Sequence, residues 1–257
     1  VEKYLPEFSG LRVGREVGEG IVYEPLKRPR TVYDLLRHTA GLTYGVFFRS
    51  PVKGLYLEAG VDRFDLSREV FLERLAALPL RFQPGETFEY GLATDLLGHL
   101  LEALAGRSLA ELLEERLFRP LGMKDSGFQA KDPARLAQPF PKDPETGHSL
   151  RLLPVETPPP RYAGGMGGVG TAADYLAFLE ALRLGRGALS PTMAGFMVQD
   201  HLGSLYPEAL KRGPEYLPGP GYSFGLGVAV RVEPMGYSPG ALGEWTWAGF
   251  GGTFFFV

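Results

Sequence analysis

Leu96, Leu97, Leu100, Leu101 and Leu104 recur at helical spacing, and the pattern stops at Gly106. Ser108 and Glu111 then have the spacing of a capping box, and Leu109, Leu112, Leu113 and Leu117 carry an inward-facing pattern on to Pro120. Two helices joined by one glycine turn predict a helical lobe in the middle of the chain. Similar signals predict a helix over 32–38, with Thr31 as cap and Asp34 three residues on. Another is expected over 68–78, capped by Ser67, with Val70, Phe71 and Leu75 on one face and Pro79 as its stop. A further helix starts at Thr171, with Asp174 three residues on and Leu176, Leu179 and Leu182 turned inward, and a short one starts at Ser190-Pro191. At Tyr222 the period changes to two. Tyr222, Phe224, Leu226, Val228 and Val230 alternate with other residues and predict one strand, and 245–247 and 253–257 predict one or two more. Helices in the middle and strands collected at the end predict an α+β fold, a helical lobe packed against an antiparallel sheet. Residues 1–30 read as an edge of short apolar pieces, 43–60 as a Tyr/Phe-rich loop, and 129–162 as a Pro-rich surface excursion.

Composition narrows the function classes. The chain has 257 residues, of which 44% are hydrophobic, enough for a sizeable core in one large domain or two interleaved lobes. A net charge of −3 with both signs dispersed gives no basic footprint for nucleic acid. The absence of cysteine excludes disulfides and thiolate metal sites without choosing a compartment. His38, His99, His148 and His201 are dispersed, and His99 reads as a packing residue among leucines, so no metal or cofactor is indicated. The acidic residues read as helix surfaces and caps. No apolar run approaches the roughly 20 residues of a membrane-spanning helix. Oligomeric state is left open.

Three motif matches carry little. Ser50-Pro51-Val52-Lys53 has the Ser-x-x-Lys spacing, but a proline follows the serine and a glycine follows the lysine, and the segment reads as a loop. Gly221-Tyr222-Ser223-Phe224-Gly225 fits the nucleophile elbow. That elbow needs a helix after it and a later histidine, whereas the alternation runs on and His201 is the last histidine. Gly165 to Gly170 fits Gly-x-Gly-x-x-Gly, but Pro158-Pro159-Pro160 precedes it where a hydrophobic strand is needed. Those glycines read as a turn entering a helix, or as backbone that lets a substrate come close.

Four strings, in order and spanning nearly the whole chain, resemble one family: the serine hydrolases related to class C β-lactamases, penicillin-binding DD-peptidases and their esterase relatives. They are Thr31-Val32-Tyr33-Asp34-Leu35-Leu36-Arg37-His38-Thr39-Ala40-Gly41-Leu42; the stretch from Phe82 to Phe128 with Tyr90, Leu97-Gly98, Gly106 and Pro120-Leu121-Gly122-Met123; Gly164 to Tyr175; and Trp247-Ala248-Gly249 before a terminal strand. The resemblance implies a β-lactamase/transpeptidase-like fold, formed by residues 1–257 as a single domain. It also implies acyl transfer through an acyl-enzyme, with a Ser-x-x-Lys helix supplying the nucleophile and a tyrosine sharing proton transfer with that lysine. A nearby ammonium lowers the pKa of a phenol from about 10, which is what would let a tyrosine act as a base.

Carried over residue by residue, Tyr90 matches the catalytic tyrosine. Trp247-Ala248-Gly249 stands where Lys-Thr-Gly would be, and Leu92 stands where an Asn would follow the tyrosine. Phe250 would offer the oxyanion-hole N–H, while Tyr44, Trp247 and Gly249 would line the substrate site. Loss of the lysine and of the Asn points to an esterase acting on small acyl esters, ahead of a β-lactamase or D-amino-acid peptidase that would take an amide. The resemblance implies no cofactor. The family's Ser-x-x-Lys helix lies N-terminal to the segment where this chain opens, at Val1 and not Met, and the chain closes within Phe254-Phe255-Phe256-Val257. The nucleophile is therefore expected outside residues 1–257; a non-catalytic binding module of the same fold is the alternative.

Overall fold

The structure, a computed structural model, describes residues 1–142, 147, 153–234, 239–249 and 251–257. The edge read in the first 30 residues is a β-hairpin, β1 (Arg12–Val17) paired antiparallel with β2 (Gly20–Pro25). Helix α1 (Val32–Leu36) has the expected reciprocal cap. Thr31 Oγ1 accepts from the Asp34 N–H, and the Asp34 carboxylate accepts from the Thr31 N–H at 2.9 Å.

Ser50-Pro51 departs from the sequence reading. It starts a helix, α2 (Pro51–Ala59), with Ser50 as N-cap and the proline in the first turn, where its fixed φ suits a helix and its missing N–H costs nothing. Val52, Lys53 and Tyr56 are buried on its inner side. Helix α3 (Arg68–Ala76) is capped by Ser67 as expected. Helix α4 (Ala93–Ala105) ends at Gly106, which takes a left-handed φ of 64°. It buries Leu96 and Leu100, whereas Leu101 and Leu104 are 48% and 52% exposed, so the leucine pattern covers more of the helix surface than the core receives. Helix α5 (Leu109–Leu113) runs through a π-helical turn (Glu114–Phe118) into α6 (Arg119–Leu121). Leu109 is buried, and Leu112, Leu113 and Leu117 are half-buried. Among the described residues of the expected surface excursion 129–162, Ala130, Pro159 and Arg161 are buried and the others are not, so the segment is largely at the surface but anchored at both ends.

Thr171 caps α7 (Ala172–Arg183) and Ser190 caps α8 (Pro191–Met197). Leu179 and Leu182 are buried, but Leu176 is exposed. After α9 (Tyr206–Leu210) the expected single strand is a hairpin. β3 (Tyr222–Phe224) turns at Gly225 to Val228 and returns as β4 (Ala229–Arg231), with Tyr222 opposite Arg231. Strands β5 (Trp245–Ala248) and β6 (Phe254–Phe256) complete an antiparallel sheet of order β3-β4-β5-β6.

Among the described residues, burial organises this into three apolar clusters. One lies under the N-terminal hairpin and α1–α4, a second joins Phe88 to Tyr206, Tyr216 and Phe224, and a third sits between α7–α8 and the sheet. Tyr90 packs against both the first and the second, so it lies on the seam between helical lobe and sheet. No helix among the described residues is long and apolar enough to cross a membrane.

Candidate active site

Tyr90 leaves the turn at Pro84-Gly85 in a short extended segment that enters α4. His38 grips this segment from α1's far end. Its carbonyl accepts the Glu89 N–H at 2.8 Å, its Nδ1 accepts the Gly91 N–H at 3.4 Å, and its Nε2 lies 3.2 Å from Thr94 Oγ1. Burial pushes the His38 imidazole down to about 3, so it is neutral. With Nδ1 accepting, the assigned proton sits on Nε2 and points to Thr94. A left-handed φ of 54° at His38 makes both grips possible at once. Gly91 is equally constrained: a Cβ there would lie 2.5 Å from Thr43 Cα and 2.6 Å from Leu42 O, both backbone atoms.

Aromatic rings surround the phenol. The Tyr90 centroid is 5.1 Å from Trp247, 5.4 Å from Tyr44, 6.2 Å from Phe47 and 4.9 Å from His38. Tyr44 is buried and donates its hydroxyl to Asp95 Oδ2 at 3.4 Å; burial and the Asp95 charge keep it a phenol. Asp95, on α4, has no exposure and is paired with Arg161 at 3.3 Å. Burial raises the Tyr90 pKa, a hydrogen bond from the Trp247 side chain pulls the other way, and the Asp95 charge adds to the rise. Tyr90 as described is therefore a neutral phenol at physiological pH.

The structure thus brings Tyr90, Tyr44 and Trp247 together. Gly249 lies in the exposed β5–β6 turn, its N–H donating to Thr253 O at 2.7 Å. Phe250 lies outside the described residues.

The three weak motifs acquire structural explanations. Ser50 Oγ accepts the Lys53 N–H at 3.4 Å, and the Lys53 ammonium lies 3.4 Å from Glu89 Oε1 and 3.7 Å from Glu215 Oε2. That pair is a helix cap and an ion-cluster member. Ser223 is fully buried on β3, and its hydroxyl donates to Asp200 Oδ1. A Cβ on Gly164 would run into the Thr94 carbonyl oxygen, and one on Gly165 into the Asp95 carboxylate. These glycines bring their segment onto α4, which is a packing role. Contrary to the expectation that acidic residues lie on helix surfaces and in caps, Glu89 and Asp95 are buried and paired.

Residues 1–257 match the Beta-lactamase family along their whole length. The chain belongs to that family. Within it, the chain is 33% identical over 278 residues to esterase EstB of Burkholderia gladioli, an alignment that takes in 100% of this chain and 66% of that protein. It is 31% identical to the solved structure of EstCE1, described as a hydrolase with promiscuous acyltransferase activity, with a TM-score of 0.76 over 99% of this chain and 68% of that one. The unliganded simvastatin synthase LovD of Aspergillus terreus shares the fold, with a TM-score of 0.76 at 24% identity over 96% of this chain and 65% of that one. The chain spans less than two-thirds of the length of the curated relatives it matches, 66% of EstB and 59% of Mycobacterium tuberculosis Rv1367c. The β-lactamase/transpeptidase-like α+β fold expected from the sequence is the one these relatives share.

Proposed function

We propose that this chain is the Tyr90-bearing part of a serine esterase of the Beta-lactamase family that cleaves small acyl esters through an acyl-enzyme. The observation that carries the reading is the Tyr90 phenol on the seam between lobe and sheet, ring to ring with Trp247. The similarity to EstB and EstCE1 favours ester substrates. In this reading a serine outside residues 1–257 attacks the ester carbonyl carbon while its proton passes to the Tyr90 oxygen. The carbonyl electrons form an oxyanion, held by backbone N–H groups that include that of Phe250. Collapse expels the alkoxide, which takes the proton back from Tyr90, and water repeats the sequence to release the acid. Because burial raises the Tyr90 pKa, this mechanism requires a cation brought to the phenol, which is the part the family's Ser-x-x-Lys lysine would play.

The test uses the full-length protein. Release of p-nitrophenol from short acyl esters, together with a covalent adduct from a serine-directed phosphonate, is expected. Absence of both sinks the reading and leaves a binding module, while nitrocefin turnover above ester turnover makes the protein a β-lactamase. Transfer of the acyl group to an alcohol in place of water is a second reading, favoured by the aromatic rings around the phenol, which disfavour water. It predicts that added alcohols divert the acyl group from free acid to new ester.

A further inference from the structure

Behind Tyr90 lies a buried ion cluster for which the acyl-transfer scheme has no use. Glu89, 2% exposed, accepts from Thr43 Oγ1, from Arg81 Nη1 at 3.2 and 3.3 Å, and from Arg212 Nη2, with Lys53 Nζ 3.4 Å away. Glu215 takes Arg81 at 2.6 Å and Arg212 at 2.7 Å, and Glu16 lies 3.7 Å from Arg81. Three cations face three carboxylates, contributed by β1, α2, the 81–89 segment and the stretch after α9. Burial pushes Glu215 up, but the two arginines more than offset it and hold the carboxyl at about 2.

A buried network of this kind gives little stability over well-packed apolar side chains, because desolvation offsets most of the Coulomb attraction. It does fix geometry. Thr43 precedes Tyr44, and Glu89 precedes Tyr90, so one hydrogen bond joins the residues immediately before the two tyrosines. Arg212 also donates to the Phe88 carbonyl, so the segment is held at consecutive residues on one side while His38 holds Glu89 and Gly91 on the other.

We propose that Glu89 is a positioning residue: its bond to Thr43, locked by Lys53, Arg81 and Arg212, sets the placement of the Tyr90 phenol against Tyr44 and hence at the reacting centre. The inference rests on the esterase reading for its catalytic consequence, but not for its geometric one. Removing Glu89 outright would leave Lys53, Arg81 and Arg212 to share Glu215 and Glu16 and rearrange the whole cluster, so the decisive variant is Thr43→Val, which keeps shape and deletes one hydroxyl, with Thr43→Ser as the conservative control. In full-length protein Thr43→Val should lower kcat by about 10- to 100-fold with KM within about twofold, and Thr43→Ser should restore kcat. An activity-independent measurement accompanies this: 3-fluorotyrosine placed at position 90, read by fluorine NMR on samples whose melting shows them folded. The resonance should shift or broaden in Thr43→Val and return in Thr43→Ser. A folded Thr43→Val protein with wild-type kcat and an unmoved resonance overturns the proposal. If the wild type hydrolyses no ester, the esterase reading fails, and the fluorine spectra alone decide the positioning role.

Discussion

Trp247 leans over Tyr90 with ring centroids 5.1 Å apart and planes inclined by 57°, and its side chain pulls the Tyr90 pKa down against the rise that burial brings. The ring contact and this polar influence can be separated by mutation. Tyr90→Phe deletes the hydroxyl and keeps the ring, so kcat on p-nitrophenyl esters should fall by about 100-fold or more, the scale of a lost general base. The melting temperature should hold, because the ring still packs against both clusters. Trp247→Phe keeps an aromatic ring and deletes the indole N–H, and should cost less. A Tyr90→Phe enzyme with wild-type turnover removes Tyr90 from the chemistry.

Opposed titrations at His38 and Asp62 should shape stability against pH. His38 is held at about 3 by burial against an unfolded value near 6.5, so below that value the unfolded chain takes a proton that the folded chain refuses. Stability should fall by about 1.4 kcal/mol for each pH unit between about 6.5 and about 3. Asp62 has the reverse sign: burial pushes it up to about 6, with the Gly45 N–H partly opposing, so the folded state takes the proton first. Stability from Asp62 should therefore rise as pH falls from about 6 towards the unfolded carboxylate value near 3.9. Denaturant titrations of Asp62→Asn should show the steeper acid loss due to His38. Adding His38→Asn, a residue that tolerates the left-handed φ, should flatten it between about pH 6.5 and 4.5, where most carboxylates stay ionised. An unchanged slope would mean that His38 is protonated in the folded state.

Much of this arrangement is legible in the sequence where the deciding contacts are local. The reciprocal Thr31–Asp34 and Ser108–Glu111 caps, the one-way caps of Ser67 and Thr171 and the left-handed Gly106 stop are all set by contacts within about one helical turn. Ser50-Pro51 is the same signal as Ser190-Pro191, yet the aromatic residues before it and Gly54 after it suggest a loop; burial of Val52 and Tyr56 against distant residues settles it as helix. The hairpin between β3 and β4 is signalled by Gly225 and Gly227, whose φ of 93° breaks a run that alternation alone would continue. At the site, Tyr90, Tyr44 and Trp247 are reachable through family strings. The grip of His38 and the buried ion pairs of Glu89 and Asp95 are not, because their partners lie far along the chain and a charged residue reads as surface until its partner is known. One local clue to His38 existed, its place directly before Thr39-Ala40-Gly41.

Gly91→Ala tests how tightly Tyr90's segment is pressed on its neighbour. The added methyl would meet the backbone at Leu42 and Thr43, which cannot swing aside as a side chain does. The substitution should destabilise by about 1–3 kcal/mol through overpacking and shift the phenol away from Tyr44. Gly54→Ala is the matched control, since a Cβ there meets nothing within 4 Å. Equal stabilities for the two variants in urea unfolding would contradict the close approach.

Asp95 and Arg161 should respond asymmetrically to loss of the partner. Both are essentially buried, and the guanidinium also stacks 4.1 Å over Phe71 and donates to Arg63 O at 3.4 Å. Asp95→Ala leaves a buried guanidinium, which cannot shed its proton, so the cost should reach about 3–5 kcal/mol. Arg161→Met leaves a buried carboxyl, which can neutralise itself. Burial already raises the Asp95 pKa against the pull of Arg161, and loss of Arg161 raises it further. A carboxyl whose folded pKa lies above its unfolded value loses stability as pH rises through the folded pKa. Arg161→Met should therefore be milder than Asp95→Ala at pH near 5 and worsen towards pH near 8, while Asp95→Asn/Arg161→Met should be nearly independent of pH over that range. A pH-independent cost for Arg161→Met would show that Asp95 stays ionised without its partner, and Tyr44 would then be donating to a carboxylate held by something other than Arg161.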